Sequence, residues 1–264
     1  MNITPAKWMH YLSSVGVNFI NPYEEGWNIP GREGGKPAQF NQITALDLTM
    51  SNVIAEYIQL MDKIEELAAY AKQKNVGLYL WYNSNGYWND APQGPRGKMS
   101  NIIERRKEMK WMQRIGIKGI KVDFIGSDKQ VTMQLYEDIL ADANDYGLLV
   151  IFHGCTIPRG WERMYPNYAA SEAVLASENM NFSQGSCDAE AFNACIHPFV
   201  RNTIGSMDFG GSTLNKYYNA KNEPGGRLRV TSDVFALATA VLFQSPVQHF
   251  ALAPNNLTDA PAWA

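Results

Sequence analysis

Short apolar runs alternate with amphipathic stretches along this chain, and the alternation predicts its elements. Residues 17–20 form an apolar run after Gly16. Over 52–74, Ile54, Tyr57, Ile58, Met61, Ile64 and Ala68 recur at the period of a helix with one buried stripe. Asn75 and Gly77 punctuate its end, and 78–82 (LYLWY) reads as a strand. A second helix is predicted over 100–115, with Ile102, Met109 and Met112 on one face; it stops at Gly116, before a strand at 119–124. Ser127 is placed to cap a third helix running to Tyr146, with Val131, Leu135 and Ile139 inward. Gly147 ends it, and 148–152 is the next strand. Further strands are predicted near 173–177, 205–209 and 247–252, and a helix over 232–243 precedes the last.

That rhythm gives about seven strands separated by helices, and such connections favour a parallel sheet. Neither GxGxxG after the first strand nor GxxxxGK[ST] is present, so a doubly wound nucleotide-binding fold lacks its usual signature. The fold class expected is α/β, a (β/α)8 TIM-type barrel. The chain opens on a helical stretch and the count is one strand short, so the expectation is an incomplete barrel whose first strand lies upstream of Met1. The length, 264 residues, is that of one barrel domain over 1–264.

Composition narrows the function. Lys and Arg total 23 against 26 Asp and Glu, a net charge of −3, which lacks the basic excess of a nucleic-acid surface. No apolar run approaches a membrane span, and MNITPAKWMHYL lacks the charged and apolar regions of a leader. Cys155, Cys187 and Cys195 form no CxxC pair and are too few for a disulfide scaffold.

In a barrel, chemistry sits where the strands end. The strand ends here are polar: Glu24 and Glu25 after the first, Trp81-Tyr82-Asn83 at the second, Lys121-Val122-Asp123 at the third, His153-Gly154 at the fourth, Glu172 to Glu178 at the fifth and Asp208 at the sixth. Glu25, Trp81 and Asn83 are therefore candidate substrate contacts. The loops 28–41 and 83–97, the second carrying Tyr87 and Trp88, follow strands and belong over the same face. Lys121 and Asp123 stand two residues apart, so they share one face of a strand. Either they are a buried structural ion pair, or the cation keeps a nucleophilic Asp123 ionised. Paired carboxylates with aromatic neighbours are the usual equipment for glycoside cleavage. His153 and Cys155 offer a weaker alternative, a thiol nucleophile with its base, but no third orienting group is evident. No further His or Cys completes a zinc site. Arg105-Arg106-Lys107 reads as a solvated helix face.

Six segments, in order, carry a family resemblance: GLYLWYNSNGYWNDAPQGP, EMKWMQRIGIKGIKVDF, FHGCTIPRGWERMYPN, SEAVLASEN, HPFVRNTIGSMDF and LATAVLFQSPVQ. They run from Gly77 to Gln248, and together they resemble the catalytic barrel of glycoside hydrolase family 97. The resemblance implies a bacterial enzyme acting on α-linked sugars, periplasmic or secreted. The family's retaining branch has an Asp nucleophile at the position of Asp123. Its inverting branch lacks that Asp and carries Glu where this chain has Gly154. Both positions imply the retaining, α-galactosidase-like branch. Glu178 matches the family's general acid/base, Glu172 a Ca²⁺ ligand, with Glu178 sharing the ion; Lys121 and His153 match sugar-contacting residues. Six residues of straight strand would set Glu172 and Glu178 roughly 20 Å apart, so sharing an ion requires the chain to bend between them. The resemblance also implies a partner, an N-terminal β-sandwich of the same polypeptide, and a small β-domain after the barrel. The expected substrate is a small-molecule or oligosaccharide α-glycoside. Another α-glycosidase specificity, such as α-glucosidase, or a catalytically silent sugar-binding barrel remain the alternatives.

Overall fold

The computed structural model describes residues 19–20 and 51–249, except 85, 87, 90, 92–94, 96, 212–213 and 219–223, with side chains from residue 62 onward. The chain divides into two compact units, Met1–Thr156 with Arg163–Tyr168, and Ile157–Glu162 with Ala169–Ala264.

The first unit is a succession of strands and helices: β1 (Phe19–Ile20), α1 (Ser51–Gln73), β2 (Gly77–Asn83), α2 (Ile102–Ile115), β3 (Gly119–Asp123), α3 (Gln130–Asp145) and β4 (Leu149–Phe152). The strands β1 to β4 are parallel and hydrogen-bonded in chain order. The register places Asn83 opposite Asp123, and Lys121 opposite both Trp81 and Ile151. Every residue of β2 and β3 is buried, as in a parallel sheet covered on both faces. Ile120, Val122, Val150 and Phe152 from the strands meet a core to which α2 contributes Met109 and Met112, and α3 contributes Ile139 and Leu140. Ile64 and Ala68 carry the buried stripe of α1 as its period predicts.

Both helix phases hold, with Met109, Met112, Leu135 and Ile139 buried, but one residue of each face differs from expectation. Ile102 and Val131 were expected inward, and both are exposed. Each stands in the first turn of its helix, and Asn101 caps α2, its side chain accepting from the Ile103 and Glu104 amides. On α3, Ser127 does not cap; the N-cap position is Lys129, which offers no side-chain acceptor.

The basic run of α2 is also not a uniformly solvated face. Arg105 is 1% exposed. Its Nε donates to Asp142 Oδ2 of α3 at 2.7 Å, and its Nη1 donates to the Met99 carbonyl at 2.8 Å. Arg106 also engages Asp142. Removing one partner of a buried pair strands the other charge. Asp142→Ala should therefore lower unfolding stability by about 3–5 kcal/mol, read as a shifted urea midpoint at unchanged slope. A loss within 0.5 kcal/mol, roughly the scatter of surface substitutions, would show that the pair does not hold α2 to α3.

In the second unit, β5 (Tyr168–Ser171) is followed by a 3-10 helix, Ser177–Asn181, then α4 (Gln184–Val200), a short antiparallel pair β6 (Tyr217–Tyr218) and β7 (Arg227–Leu228), and α5 (Asp233–Leu242). The strand expected at 173–177 lies earlier, at β5, and the one expected at 205–209 is reduced to a single parallel bridge between Ser171 and Met207. Residues 247–249 are not in a strand, and the rest of that expected element lies outside the described residues. Met207, Ala194 and Phe243 form the local core, with Val174, Phe209 and Phe235 against it. The helix expected over 232–243 is α5, and Ser232 caps it, its hydroxyl accepting from the Phe235 amide. Among the described residues no helix is long and apolar enough to cross a membrane.

Candidate active site

At the C-terminal ends of β2, β3 and β4 the first unit gathers five of the residues singled out in the sequence. Trp81, Asn83, Lys121, Asp123 and His153 are all buried. Asp123 is the last residue of β3, and its carboxylate is held at both oxygens. Trp81 Nε1 donates to Oδ2 at 3.0 Å, and His153 Nδ1 lies 3.3 Å from the same oxygen. Oδ1 accepts from the backbone N–H of Phe124 at 2.5 Å. Burial by itself would raise the pKa of this carboxyl. The His153 hydrogen bond, the charges of His153 and Lys121, and the Phe124 amide outweigh it and hold the group below its ordinary value. These partners favour the ionised form of Asp123 at a buried position.

The Phe124 amide bonds the carboxylate of the residue just before it, and beyond that amide the chain turns back. Phe124 has φ 61°, a left-handed conformation that costs a bulky L-residue about 1–2 kcal/mol. Its carbonyl is held in compensation by three donors from the segment after β2: Ser84 Oγ at 2.9 Å, Trp88 Nε1 at 2.7 Å and Asn89 Nδ2 at 3.0 Å. The Ser84 amide donates to the Asp123 carbonyl at 2.9 Å. Strained backbone fixed by convergent bonds is a frequent feature of functional sites.

The expected substrate contacts make bonds within the chain where they are described. The indole N–H of Trp81 faces the Asp123 carboxylate. Asn83 is fully enclosed, and its Nδ2 donates to the Ala91 carbonyl at 3.2 Å, tying down the following loop. Glu25 lies outside the described residues. The thiol alternative loses its geometry: His153 presents Nδ1 to Asp123, while Cys155 Sγ lies 3.5 Å from the Phe152 carbonyl.

In the second unit, Glu172 follows β5 directly and is buried, whereas Glu178 is exposed in the first turn of the 3-10 helix. The chain does bend between them: Ala173 has φ 51°, and the two side chains each present an oxygen within 4.8 Å of the other. Two ligand bonds of 2.3–2.6 Å to one Ca²⁺ can span such a gap. The 3-10 helix is strapped to the segment after Met207. Ser177 N–H donates to the Phe209 carbonyl at 2.8 Å, and Ser177 Oγ accepts from the Gly211 amide at 2.9 Å. Gly210, at φ 90°, leaves the room for this: a Cβ there would stand 2.7 Å from Ser177 Oγ. Asp208, buried beside it, accepts from the Gly210 amide at 3.0 Å and pairs with His249 Nδ1 at 2.9 Å.

The family model for glycoside hydrolase 97 matches residues 16–174, more than half of the sequence. The chain belongs to glycoside hydrolase family 97. A retaining alpha-galactosidase of Bacteroides thetaiotaomicron is 31% identical over 270 positions, covering 98% of this chain and 34% of that protein. A probable retaining alpha-galactosidase of Streptomyces bingchenggensis is 31% identical over 199 positions, 75% of this chain and 27% of that protein. The chain thus spans no more than 34% of the length of these curated relatives. Among solved structures, a beta-arabinopyranosidase is 53% identical with a TM-score of 0.80, over 98% of this chain and 36% of that one. A family 97 enzyme from Pseudoalteromonas sp. strain K8, in complex with acarbose, shares the fold at a TM-score of 0.66 and 17% identity, over 96% of this chain and 37% of that one.

For this family 97 chain, the bond from Trp81 to Asp123 was not legible in the sequence. The two residues are 42 apart, and only the β2–β3 register sets them side by side. Trp81→Phe keeps the ring and deletes one bond to a carboxylate, worth roughly 1.5–3 kcal/mol. It should lower kcat about 10–100-fold with KM little changed, and move the acidic limb of the pH–rate profile upward. An unchanged acidic limb would place Trp81 outside the control of Asp123.

Proposed function

We propose that this chain carries the catalytic residues of a retaining exo-glycosidase, built on a (β/α)8 barrel, that removes a terminal pyranose of galacto ring configuration. The observation that carries this reading is the Asp123 carboxylate: buried and held at both oxygens at the end of a parallel strand, by partners that favour its charged form. A structural ion pair needs no such aim, whereas a nucleophile must be fixed and charged before substrate arrives. Asp123 attacks the anomeric carbon and the glycosidic C–O bond breaks as Glu178 gives its proton to the leaving oxygen. Water then attacks the glycosyl-enzyme, Glu178 takes a proton from it, and Asp123 departs with its electron pair. Lys121 and His153 keep Asp123 ionised between turnovers and are placed to donate to sugar hydroxyls.

Glu172 and Glu178 would hold Ca²⁺. Their oxygen chemistry and their separation support the assignment. Bound there, the ion would supply positive charge that holds Glu178 in place and makes it a stronger acid.

Two sugars meet the ring requirement. An α-D-galactopyranoside and a β-L-arabinopyranoside have the same configuration around the ring, and the pentose lacks only the hydroxymethyl group at C5. The 31%-identical relatives favour the hexose, and the 53%-identical structure favours the pentose. Turnover of 4-nitrophenyl α-D-galactopyranoside and 4-nitrophenyl β-L-arabinopyranoside, compared as kcat/KM, decides between them. We expect the arabinopyranoside to be the better substrate. Preference for 4-nitrophenyl α-D-glucopyranoside, which inverts C4, would contradict the galacto assignment.

A further inference from the structure

We propose that Gly154 is a positioning residue for Asp123, and that the space left by its missing side chain is the seat of the Asp123 carboxylate. The inference rests on the reading of Asp123 as nucleophile. Gly154 follows His153 beyond the end of β4 and has φ 49°. A Cβ built there would stand 2.7 Å from Asp123 Oδ1, and 3.1 and 3.3 Å from Phe124 N and Cα. The two backbone contacts are tight; the carboxylate contact is closer than real Cβ atoms allow. Phe124 is fixed through its carbonyl by Ser84, Trp88 and Asn89, so the backbone is the less yielding partner. The carboxylate must therefore turn, and turning breaks the 2.5 Å bond from Phe124 N–H to Oδ1. A side chain at 154 and a correctly held Asp123 exclude each other. Gly147, also at positive φ, has nothing within 4 Å of its Cβ position, so it reports backbone strain without this contact.

A double-substitution cycle tests the proposal. On the nitrophenyl glycoside that the unaltered chain turns over faster, Gly154→Ala should reduce kcat on the order of 100-fold, the penalty of a misplaced reacting group. Gly147→Ala should leave kcat within about threefold. Asp123→Gly should be inactive and be rescued by azide. A terminal azide nitrogen bonds to the anomeric carbon as the bond to nitrophenolate breaks, and the leaving oxygen keeps the electron pair. In that background no carboxylate remains to be displaced, so adding Gly154→Ala should change the azide-dependent rate by less than about threefold. A loss equal to that in the Asp123 background would overturn the proposal, as would a fully active Gly154→Ala. If Gly154→Ala is too unstable to assay, its loss of melting temperature should exceed that of Gly147→Ala and be relieved by Asp123→Gly; no relief overturns the proposal. Failure of azide to rescue Asp123→Gly would instead reject Asp123 as nucleophile, and the proposal with it.

Discussion

Asp123→Ala should abolish turnover, with kcat falling by up to roughly 10⁶-fold, the scale of losing a covalent nucleophile. The loss should fall on kcat and on kcat/KM alike, because the bond that Asp123 makes exists only along the reaction path. The same carboxyl predicts the acidic limb. In the proposed reaction Asp123 acts in its ionised form, and His153, Lys121 and the Phe124 amide outweigh burial to hold it below its ordinary value. As pH falls, activity should therefore persist below about 3.9, the usual Asp value, and be lost only as pH passes through the depressed one. The sign is the same for folding: the stabilisation that these partners give is present above the ordinary value and is lost as pH falls through the depressed one. Lys121→Met removes one of the cations and should shift the limb upward. A limb that stays in place after that substitution would show that Lys121 contributes no field at Asp123.

Glu178→Gln should have the second largest effect, about 10²–10⁴-fold for loss of an acid/base, and that effect should depend on the leaving group. A sugar leaving group needs a proton and should feel the full loss. Dinitrophenolate needs none, so its release should be nearly unimpaired while the second step stalls and the glycosyl-enzyme accumulates. Added azide should then restore turnover and give a glycosyl azide of retained configuration. Chelation followed by calcium should lower and restore the activity of the unaltered chain. Glu172→Gln should raise the calcium concentration needed for half-restoration about 10–100-fold, the usual scale for altering groups around a metal. An equal loss for both leaving groups would remove Glu178 from the acid/base role.

What the sequence made legible follows from the range of the interaction that fixes each residue. The helices at 51–73 and 130–145 and the strands at 77–83 and 119–123 are set by periodicity and by turn residues, all local. Lys121 and Asp123 share a face because side chains alternate along a strand, which needs no knowledge of the fold. Arg105 was misread because its partner, Asp142, is 37 residues away and nothing local marks it. The helix Gln184–Val200 shows no clear apolar stripe, since its buried face is Cys187, Glu190, Ala194 and His197. At the site, residue types pointed to carboxylate chemistry, but the arrangement around Asp123 was hidden. The indole bond comes from strand register, and the three bonds that hold the Phe124 carbonyl surround a left-handed residue that no propensity favours. The approach of Glu172 to Glu178 depends on a positive φ at Ala173, where an extended chain would have carried them apart.

The central claim is a covalent intermediate on Asp123, and trapping tests it most directly. The chain would be incubated with the 5-fluoro glycosyl fluoride of its better substrate, digested, and its peptides weighed and fragmented. The account predicts one sugar per chain, attached to the Asp123 carboxylate, with Asp123→Ala unlabelled. A sugar on any other residue, or an unlabelled chain that releases a product of inverted anomeric configuration, would contradict it.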